Sequence, residues 1–134
     1  MFAVTLPLRF GHCDPAGIAF YPRYFELCDA AIEDWTEAVL GLDRRTMHLE
    51  RKLGLPTVSL HADFSRASRL GDQLLFSVCT TRVGNTSVNL TLTVTCNGEP
   101  RFAARYTMVL TDLVTLRAVS WPDQLRDRLN KEVE

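Results

Sequence analysis

The apolar residues of this chain change their period once, and that change constrains the fold more than any other feature. From Pro22 onward they recur every three or four residues, at Phe25, Cys28, Ile32, Trp35 and Val39, which is the spacing of one helical face. Proline suits the first helical turn and Gly41 suits the end of a helix. The sequence therefore predicts a helix over 22–40, with an apolar stripe wide enough to be buried on more than one side.

After Pro56 the period becomes two, which is typical of β-strands. Val58, Leu60, Ala62 and Phe64 are predicted to share one face of the first such strand. Further strands are predicted over 74–83, 88–96 and 101–111, with a short one at 116–120 and an initial strand over 4–10 that contains Pro7. Turn sequences separate them at 70–73, Gly84-Asn85 and Asn97-Gly98.

Two segments complete the chain. Residues 42–53 are charged and fit either a second short helix or an ordered loop. Trp121-Pro122-Asp123 is predicted to open a terminal helix with Leu125, Leu129 and Val133 on one face. With no repeat or linker, we expect residues 1–134 to form a single domain.

The order of these elements predicts an α+β fold. Tight turns imply antiparallel neighbours, and the apolar face of the resulting sheet of about five strands must be covered. The helix over 22–40 is the only element apolar enough to do so. A curved antiparallel sheet wrapped around one long helix is the hot-dog architecture, and its open edges favour pairing with a second copy.

Charge and composition exclude several functions. Fifteen basic and sixteen acidic residues are spread without blocks, so we expect no binding to nucleic acid or to an anionic membrane. No apolar stretch approaches the roughly 20 residues that span a bilayer. The first residues lack the pattern of a signal peptide, and the four cysteines have no paired spacing. We therefore expect a cytoplasmic protein with reduced thiols.

One short segment has the features of a catalytic site. In GHCDPAGIAFYPRYFEL, residues 11–27, Asp14 lies in a turn just ahead of the predicted helix. A carboxylate there can act as a nucleophile or base, while the free N–H groups around Tyr21 can stabilise negative charge on a carbonyl oxygen. From the pattern alone, a role for Asp14 limited to capping the turn stays open.

The same segment resembles the hot-dog thioesterases of the 4-hydroxybenzoyl-CoA thioesterase type. The resemblance depends on residues 13–18, Tyr21-Pro22, Tyr24 and Asp29-Ala30. It implies an acyl-CoA thioesterase in which Asp14 is the catalytic carboxylate and the backbone N–H of Tyr21 polarises the thioester carbonyl. It also implies substrate-binding roles for Gly17, Tyr24 and Asp29, with Asp29 near the acyl pocket.

The resemblance further implies that the CoA thioester is the substrate, that no cofactor is needed and that the protein forms a homodimer or homotetramer with a shared pocket. We predict that Arg82 and Asn85, at a hairpin end, bind the phosphates of CoA, since a basic side chain and turn amides suit that role. The family often has a denser basic cluster here, so the exact contacts stay open.

Other chemistries are weaker candidates. Cys13 and His12 are adjacent, so their side chains point to opposite faces of a strand, and we expect an inert thiol. His12 fits either a role in tuning Asp14 or a place at the strand end. His61 and Asp63 share a strand face but have no third partner with the spacing of a metal site.

The sequence leaves alternatives for the acyl group that is bound and for the activity itself. Aromatic residues at 20, 21, 24 and 25 favour an aromatic, 4-hydroxybenzoyl-like acyl group, but they also suit helix packing, and an aliphatic acyl-CoA stays an alternative. So does a non-catalytic module that binds acyl-CoA or an acyl-carrier protein. A hydratase of the same fold is a further alternative, although its usual acid and histidine arrangement on the helix is not seen.

Overall fold

A computed structural model describes all residues, 1–134. It contains two α-helices, α1 (Tyr21–Trp35) and α2 (Asp123–Glu132), and seven strands. The strands are β1 (Phe2–Pro7), β2 (Leu53–Gly54), β3 (Thr57–Phe64), β4 (Gln73–Val83), β5 (Ser87–Cys96), β6 (Glu99–Val109) and β7 (Thr111–Asp112). Short helical turns lie at Phe10–His12, Thr36–Leu40 and Thr46–Glu50.

The main sheet has five strands in the order β1-β4-β5-β6-β3, and every neighbouring pair is antiparallel. β2 and β7 form a separate two-stranded ribbon. The long helix α1 continues through the turn Thr36–Leu40 and ends at Gly41, whose φ of 70° is left-handed. The predicted α+β hot-dog fold is confirmed.

The core lies between α1 and the concave face of the sheet. The buried side of α1 supplies Tyr24, Leu27, Cys28, Ala31, Ile32 and Trp35. The inward residues of β4, β5 and β6 alternate with outward polar residues and are almost wholly buried, including Phe76, Leu92 and Phe102. The apolar face of α1, with its period of 3.6 residues, and the apolar faces of the strands, with their period of two, therefore pack together in one contiguous core.

Strand β3 departs from this pattern. Leu60, Ala62 and Phe64 face the same way and pair with inward residues of β6, as the alternation predicts. Yet Val58, Leu60 and Phe64 keep 61%, 42% and 49% of their surface exposed. The reason is position, because β3 is the edge strand. α1 contacts it at Phe64 through Tyr21 and Tyr24 but leaves these side chains partly exposed.

Three segments show where local patterns were incomplete. The first strand ends at Pro7, earlier than predicted. Residues 116–120 hold no named strand, only an isolated bridge at Ala118, and Leu116 has a left-handed φ of 61°. Residues 42–53 contain a short helix and then the start of β2. None of the helices combines the length and the apolar character that crossing a membrane requires.

Candidate active site

The Asp14 segment is a small hairpin that leads directly into α1. The backbone N–H of Asp14 donates to Ile18 O at 2.9 Å, Cys13 bridges Ala19, and the N–H of Phe20 donates to His12 O at 2.9 Å. Gly17, in the turn, has a φ of 77°, a left-handed conformation that favours glycine. Residues 12–14 thus pair with residues 18–20, and this pairing holds Asp14 close to Tyr21, where α1 begins.

The Asp14 carboxylate is only partly used by the turn. Its Oδ1 accepts a hydrogen bond from the N–H of Ala16 at 2.8 Å, which fixes the side-chain orientation. Its Oδ2 accepts no hydrogen bond from the chain, and the residue is part-buried. The capping role and the catalytic role are therefore compatible, since one oxygen serves each.

The start of α1 lacks a side-chain cap. Phe20 occupies the N-cap position and offers no acceptor, and Pro22 has no N–H. The N–H of Tyr21 has no backbone acceptor. The positive end of the helix dipole and an unpaired donor therefore lie next to the Asp14 hairpin, where a developing oxyanion would be stabilised.

A third segment supports the hairpin from behind. The N–H of Ala19 donates to Ser68 O at 2.8 Å, and the N–H of Leu70 donates to Gly17 O at 3.0 Å. Residues 68–70 therefore lie alongside residues 17–19, with an isolated antiparallel bridge between Ile18 and Arg69.

Arg101 holds the 68–70 segment in place. Its side chain is 13% exposed, and its guanidinium contacts Asp72 Oδ2 at 2.7 Å, Glu99 Oε1 at 2.8 Å and the carbonyl of Ala67 at 3.2 Å. The pKa of Asp72 is lowered, first by a hydrogen bond from the backbone N–H of Arg69 and then by Arg101. Sequence reasoning missed this residue because Asp72 and Ala67 lie 29 and 34 positions away, beyond any local pattern.

Tyr24 occupies the core rather than an open pocket. It is 3% exposed, its ring stacks on Phe102 at 4.9 Å, and its hydroxyl donates to Ser68 Oγ. Burial raises the pKa of the Tyr24 hydroxyl. Little of its side chain is left for a substrate, so the structure gives Tyr24 a supporting position under the hairpin.

The two residues before Asp14 have structural contacts. His12 Nδ1 accepts a hydrogen bond from the N–H of Arg9 at 2.9 Å, and Cys13 Sγ lies 3.4 Å from the carbonyl oxygen of Arg9. Burial, followed by the charge of Asp14, raises the pKa of the Cys13 thiol. The neutral thiol is a poor nucleophile, in line with the inert role expected for it.

Asp29 lies on the same side of α1 as Tyr21 and Phe25, because the three residues are spaced four apart. Eight residues of helix place it about 12 Å along α1 from Tyr21. Arg82 and Asn85 are farther away. They lie at the opposite end of β4 from Gln73, and the length of β4 separates the two ends by about 30 Å at ~3.3 Å per residue. Within one chain, Arg82 and Asn85 are therefore too far from Asp14 to share a site with it.

Comparison with known proteins agrees with this geometry. Residues 8–129 match the family model described as the thioesterase-like superfamily. The chain belongs to the thioesterase-like superfamily. The predicted resemblance to hot-dog thioesterases and the predicted class of enzyme, an acyl-CoA thioester hydrolase, are thereby confirmed.

Individual members of the superfamily show the extent of the similarity. The chain is 26% identical to a 1,4-dihydroxy-2-naphthoyl-CoA hydrolase of Synechococcus elongatus over 123 residues, 91% of this chain and 90% of that protein. It is 34% identical over 73 residues to a 4-hydroxybenzoyl-CoA thioesterase of Pseudomonas sp. strain CBS-3, 54% of this chain and 52% of that one. A thioesterase superfamily structure from Jannaschia sp. CCS1 superposes with a TM-score of 0.92 at 24% identity, covering 99% and 93% of the two chains.

Proposed function

We propose that this thioesterase hydrolyses an aromatic, hydroxylated acyl-CoA and that Asp14 carries the reaction. The N–H of Tyr21 donates to the thioester oxygen as negative charge develops on it. Asp14 either attacks the carbonyl carbon or removes a proton from the water that attacks it. The carbon–sulfur bond then breaks, and the thiolate of CoA leaves and takes up a proton. Direct attack by water gives the free acid at once, whereas attack by Asp14 leaves an anhydride that a water molecule hydrolyses to the free acid and the aspartate.

One observation carries this proposal. An aspartate whose Oδ1 is fixed and whose Oδ2 is free lies beside an uncapped helix start. A turn-capping aspartate alone has no need of the unpaired N–H at Tyr21. Together they supply the two groups that thioester hydrolysis requires, a nucleophile or base and an oxyanion donor.

The surface beside Asp14 supports an aromatic acyl group. Phe20, Tyr21 and Phe64 form an exposed aromatic surface, with Phe20–Tyr21 and Tyr21–Phe64 ring centroids 6.0 Å apart. Flat rings of this kind pack well against another ring and add ~0.5–1.5 kcal/mol per pair. The names of both curated relatives described above specify a hydroxylated aromatic acyl group.

We also propose that the active enzyme is a homodimer formed through β3. This strand leaves one edge unpaired and exposes an apolar strip at Val58, Leu60 and Phe64. A second copy that adds its own β3 satisfies the edge and covers Val58 and Leu60, while Phe64, at the end of the strip, stays beside the acyl group. A further pairing of dimers into a tetramer is compatible with this interface.

This dimer would complete the site. Asp14 lies at the Phe64 end of β3, whereas the hairpin with Arg82 and Asn85 lies at the Thr57 end. Antiparallel pairing of two β3 strands places the Thr57 end of the second copy beside this Asp14. The second copy's hairpin is then two to three strands away, roughly 10–15 Å, which supports the proposed contacts of Arg82 and Asn85 with CoA across the interface.

The role of Asp14 is tested by Asp14→Asn, which retains the Oδ1 that accepts from Ala16. We therefore expect a normal fold and a loss of about 10²–10⁴ in kcat with 4-hydroxybenzoyl-CoA, measured by thiol release. Asp34→Asn on the exposed side of α1 and Cys13→Ser are the matched controls, and both should keep wild-type activity. Retention of more than about a tenth of the activity in Asp14→Asn would refute the assignment.

Rapid quenching with mass spectrometry separates the two mechanisms. A covalent acyl group on Asp14 during turnover indicates attack by the carboxylate, whereas thiol release without a burst and without any such adduct indicates a general base.

The dimer is tested by Leu60→Lys, with Val114→Lys as the control because Val114 is also exposed but lies outside the five-stranded sheet. Sedimentation should show a shift toward monomer for Leu60→Lys alone. A wild-type chain that sediments as a fully active monomer at micromolar concentration would contradict the proposal.

A further inference from the structure

A second feature of the molecule lies beyond the Asp14 hairpin, where α1 faces the start of β3. Asp29, Arg44 and His48 line a cavity of about 350 Å³ there, together with apolar residues that include Leu55 and Leu113. This volume lies at the lower end of the range for small-molecule sites, ~300–1,000 Å³. The cavity therefore has room for one aromatic ring system and its substituents.

The two basic residues of this cavity are held in a fixed arrangement. Asp43 caps their short helix, because its Oδ1 accepts the N–H of Thr46 at 2.8 Å and its Oδ2 accepts the hydroxyl of Thr46 at 3.0 Å. Arg44 and His48 are four residues apart, so they lie on one face of that helix. Their positions are preorganised by the fold.

These side chains are not satisfied within the chain. Arg44 Nε and His48 Nε2 are buried and have no hydrogen-bond partner. The one contact of the Arg44 guanidinium is long, 3.5 Å from Nη2 to the hydroxyl of Thr36. A buried polar group without a partner costs about 1–3 kcal/mol, and native structures leave few of them.

The carboxylate of the cavity, Asp29, is exposed at its rim and has no ion-pair partner. Asp29 and Arg44 line the same cavity but form no ion pair with each other or with any other residue. An arginine beside the carboxylate disfavours a metal cation, and the carboxylate disfavours a phosphate. The arrangement suits a neutral group that both donates and accepts hydrogen bonds.

The apolar wall of the cavity limits what that group can be attached to. A Cβ atom at Gly54 would lie 2.7 Å from Leu113 Cδ2, so Leu113 packs directly on the Gly54 backbone and closes one side. Leu55 and Pro56 add further apolar surface. A hydroxyl on an aromatic ring fits this combination, because the ring contacts the apolar wall and the oxygen meets the polar groups.

We propose that Arg44 and His48 are specificity-determining residues that, with Asp29, bind a ring hydroxyl of the acyl group. The hydroxyl donates to Asp29 and accepts from Arg44, and His48 Nε2 contributes a further hydrogen bond. Asp29 lies about 12 Å along α1 from Tyr21, a span that an aromatic acyl group and its hydrogen bonds can bridge. The inference rests on the proposed function and extends it to how the acyl group is selected.

The experiment compares Arg44→Met with Arg45→Met, its exposed neighbour. The kcat/KM ratio of 4-hydroxybenzoyl-CoA to benzoyl-CoA is measured for each variant. We expect the ratio to fall at least about tenfold in Arg44→Met, because a site that binds a hydroxyl rejects the analogue lacking it. The ratio should be unchanged in Arg45→Met, and His48→Leu should lower it in the same direction.

A binding measurement keeps this test independent of catalysis. Calorimetric titration of 4-hydroxybenzoate and benzoate into the wild type and Arg44→Met should show that the variant loses at least about tenfold in affinity for the hydroxylated acid only. Equal losses for both acids, or none, in a folded variant overturn the inference. A wild-type enzyme that hydrolyses no aromatic thioester refutes the proposed function instead. If Arg44→Met does not fold, His48→Leu provides the same comparison.

Discussion

Replacing Arg101 with methionine removes the clamp on the segment that supports the catalytic hairpin. Methionine keeps most of the aliphatic stem, so the change isolates the guanidinium and its contacts with Asp72, Glu99 and Ala67. The bond to Asp72 is short, at 2.7 Å, and both side chains are mostly buried, 13% and 25% exposed. We expect the pair to dominate the effect.

The magnitude follows from these contacts. A charge-assisted hydrogen bond at this burial contributes about 1.5–3 kcal/mol, whereas the pair with the more exposed Glu99 adds only ~0–0.5 kcal/mol. We therefore expect a loss of about 2.5 kcal/mol in the free energy of unfolding. The unfolding entropy of a chain of 134 residues is about 0.28 kcal/mol/K, so Tm should fall by about 9 °C.

The same substitution should affect catalysis through position. Residues 68–70 hydrogen-bond to residues 17–19, and a small shift of the hairpin moves the Asp14 carboxylate relative to the N–H of Tyr21. We expect kcat to fall about tenfold with a smaller change in KM, since misplacement of a reacting group chiefly lowers the rate of the chemical step.

Calorimetry and thiol-release assays at fixed protein concentration test both parts. Arg66→Met is the matched control, because Arg66 also contacts Glu99 but is 69% exposed, and its Tm should change by less than about 2 °C. A Tm loss below about 3 °C in Arg101→Met would refute the energetic argument. A normal kcat despite the full Tm loss would refute the link from Arg101 to Asp14.

The pKa of Asp72 gives this clamp a pH dependence. The backbone N–H of Arg69 and then the Arg101 guanidinium lower that pKa. The ionised Asp72 therefore stabilises the fold fully at a pH above the ordinary aspartate pKa of about 3.9, and this stabilisation is lost as the pH falls through the lowered pKa. The difference in Tm between wild type and Arg101→Met should therefore narrow as the pH drops below about 4.

Two further substitutions test the hairpin and its support. Tyr24→Phe removes the hydrogen bond to Ser68 but keeps the stacked ring, so Tm should fall by about 4 °C, for a loss of about 1 kcal/mol, while most activity remains; a tenfold drop in kcat would instead indicate substrate contact. Gly17→Ala adds a Cβ that meets no atom within 4 Å, so only the left-handed φ is penalised, by about 1–2 kcal/mol. Gly11→Ala, which is equally open but lacks that φ, should leave Tm unchanged in the same calorimetric series.

The sequence by itself determined the order and type of the principal elements. The change from a period of three and four to a period of two follows from local geometry, and it located α1 and the long strands within a few residues. Proline at the start and Gly41 at the end set the limits of the helix because each acts on the backbone of its own position. The Asp14 turn and the helix start that follows it were visible for the same reason.

Burial was decided only by the tertiary structure. The alternation in β3 resembles that of β5, yet Leu60 and Phe64 are exposed whereas the inward residues of β5 are buried. The difference arises because β3 lies at the sheet edge, and edge position depends on which strands pair across long stretches of chain. Tyr24 is packed under the hairpin for a similar reason, since Phe102 and Ser68 reach it from distant parts of the chain, and its contact with substrate stays a prediction.

The tertiary structure also assembled the groups that no spacing connects. Arg101, on β6, contacts Asp72, which is 29 positions earlier in the chain. Arg44 and His48 line the same cavity as Asp29 because the chain folds back after the end of α1 toward the start of β3. Arg82 lies far from Asp14 because β4 is fully extended between them. Local patterns specify how a segment folds, whereas a site built from several segments depends on contacts that form only when the sheet closes on the helix.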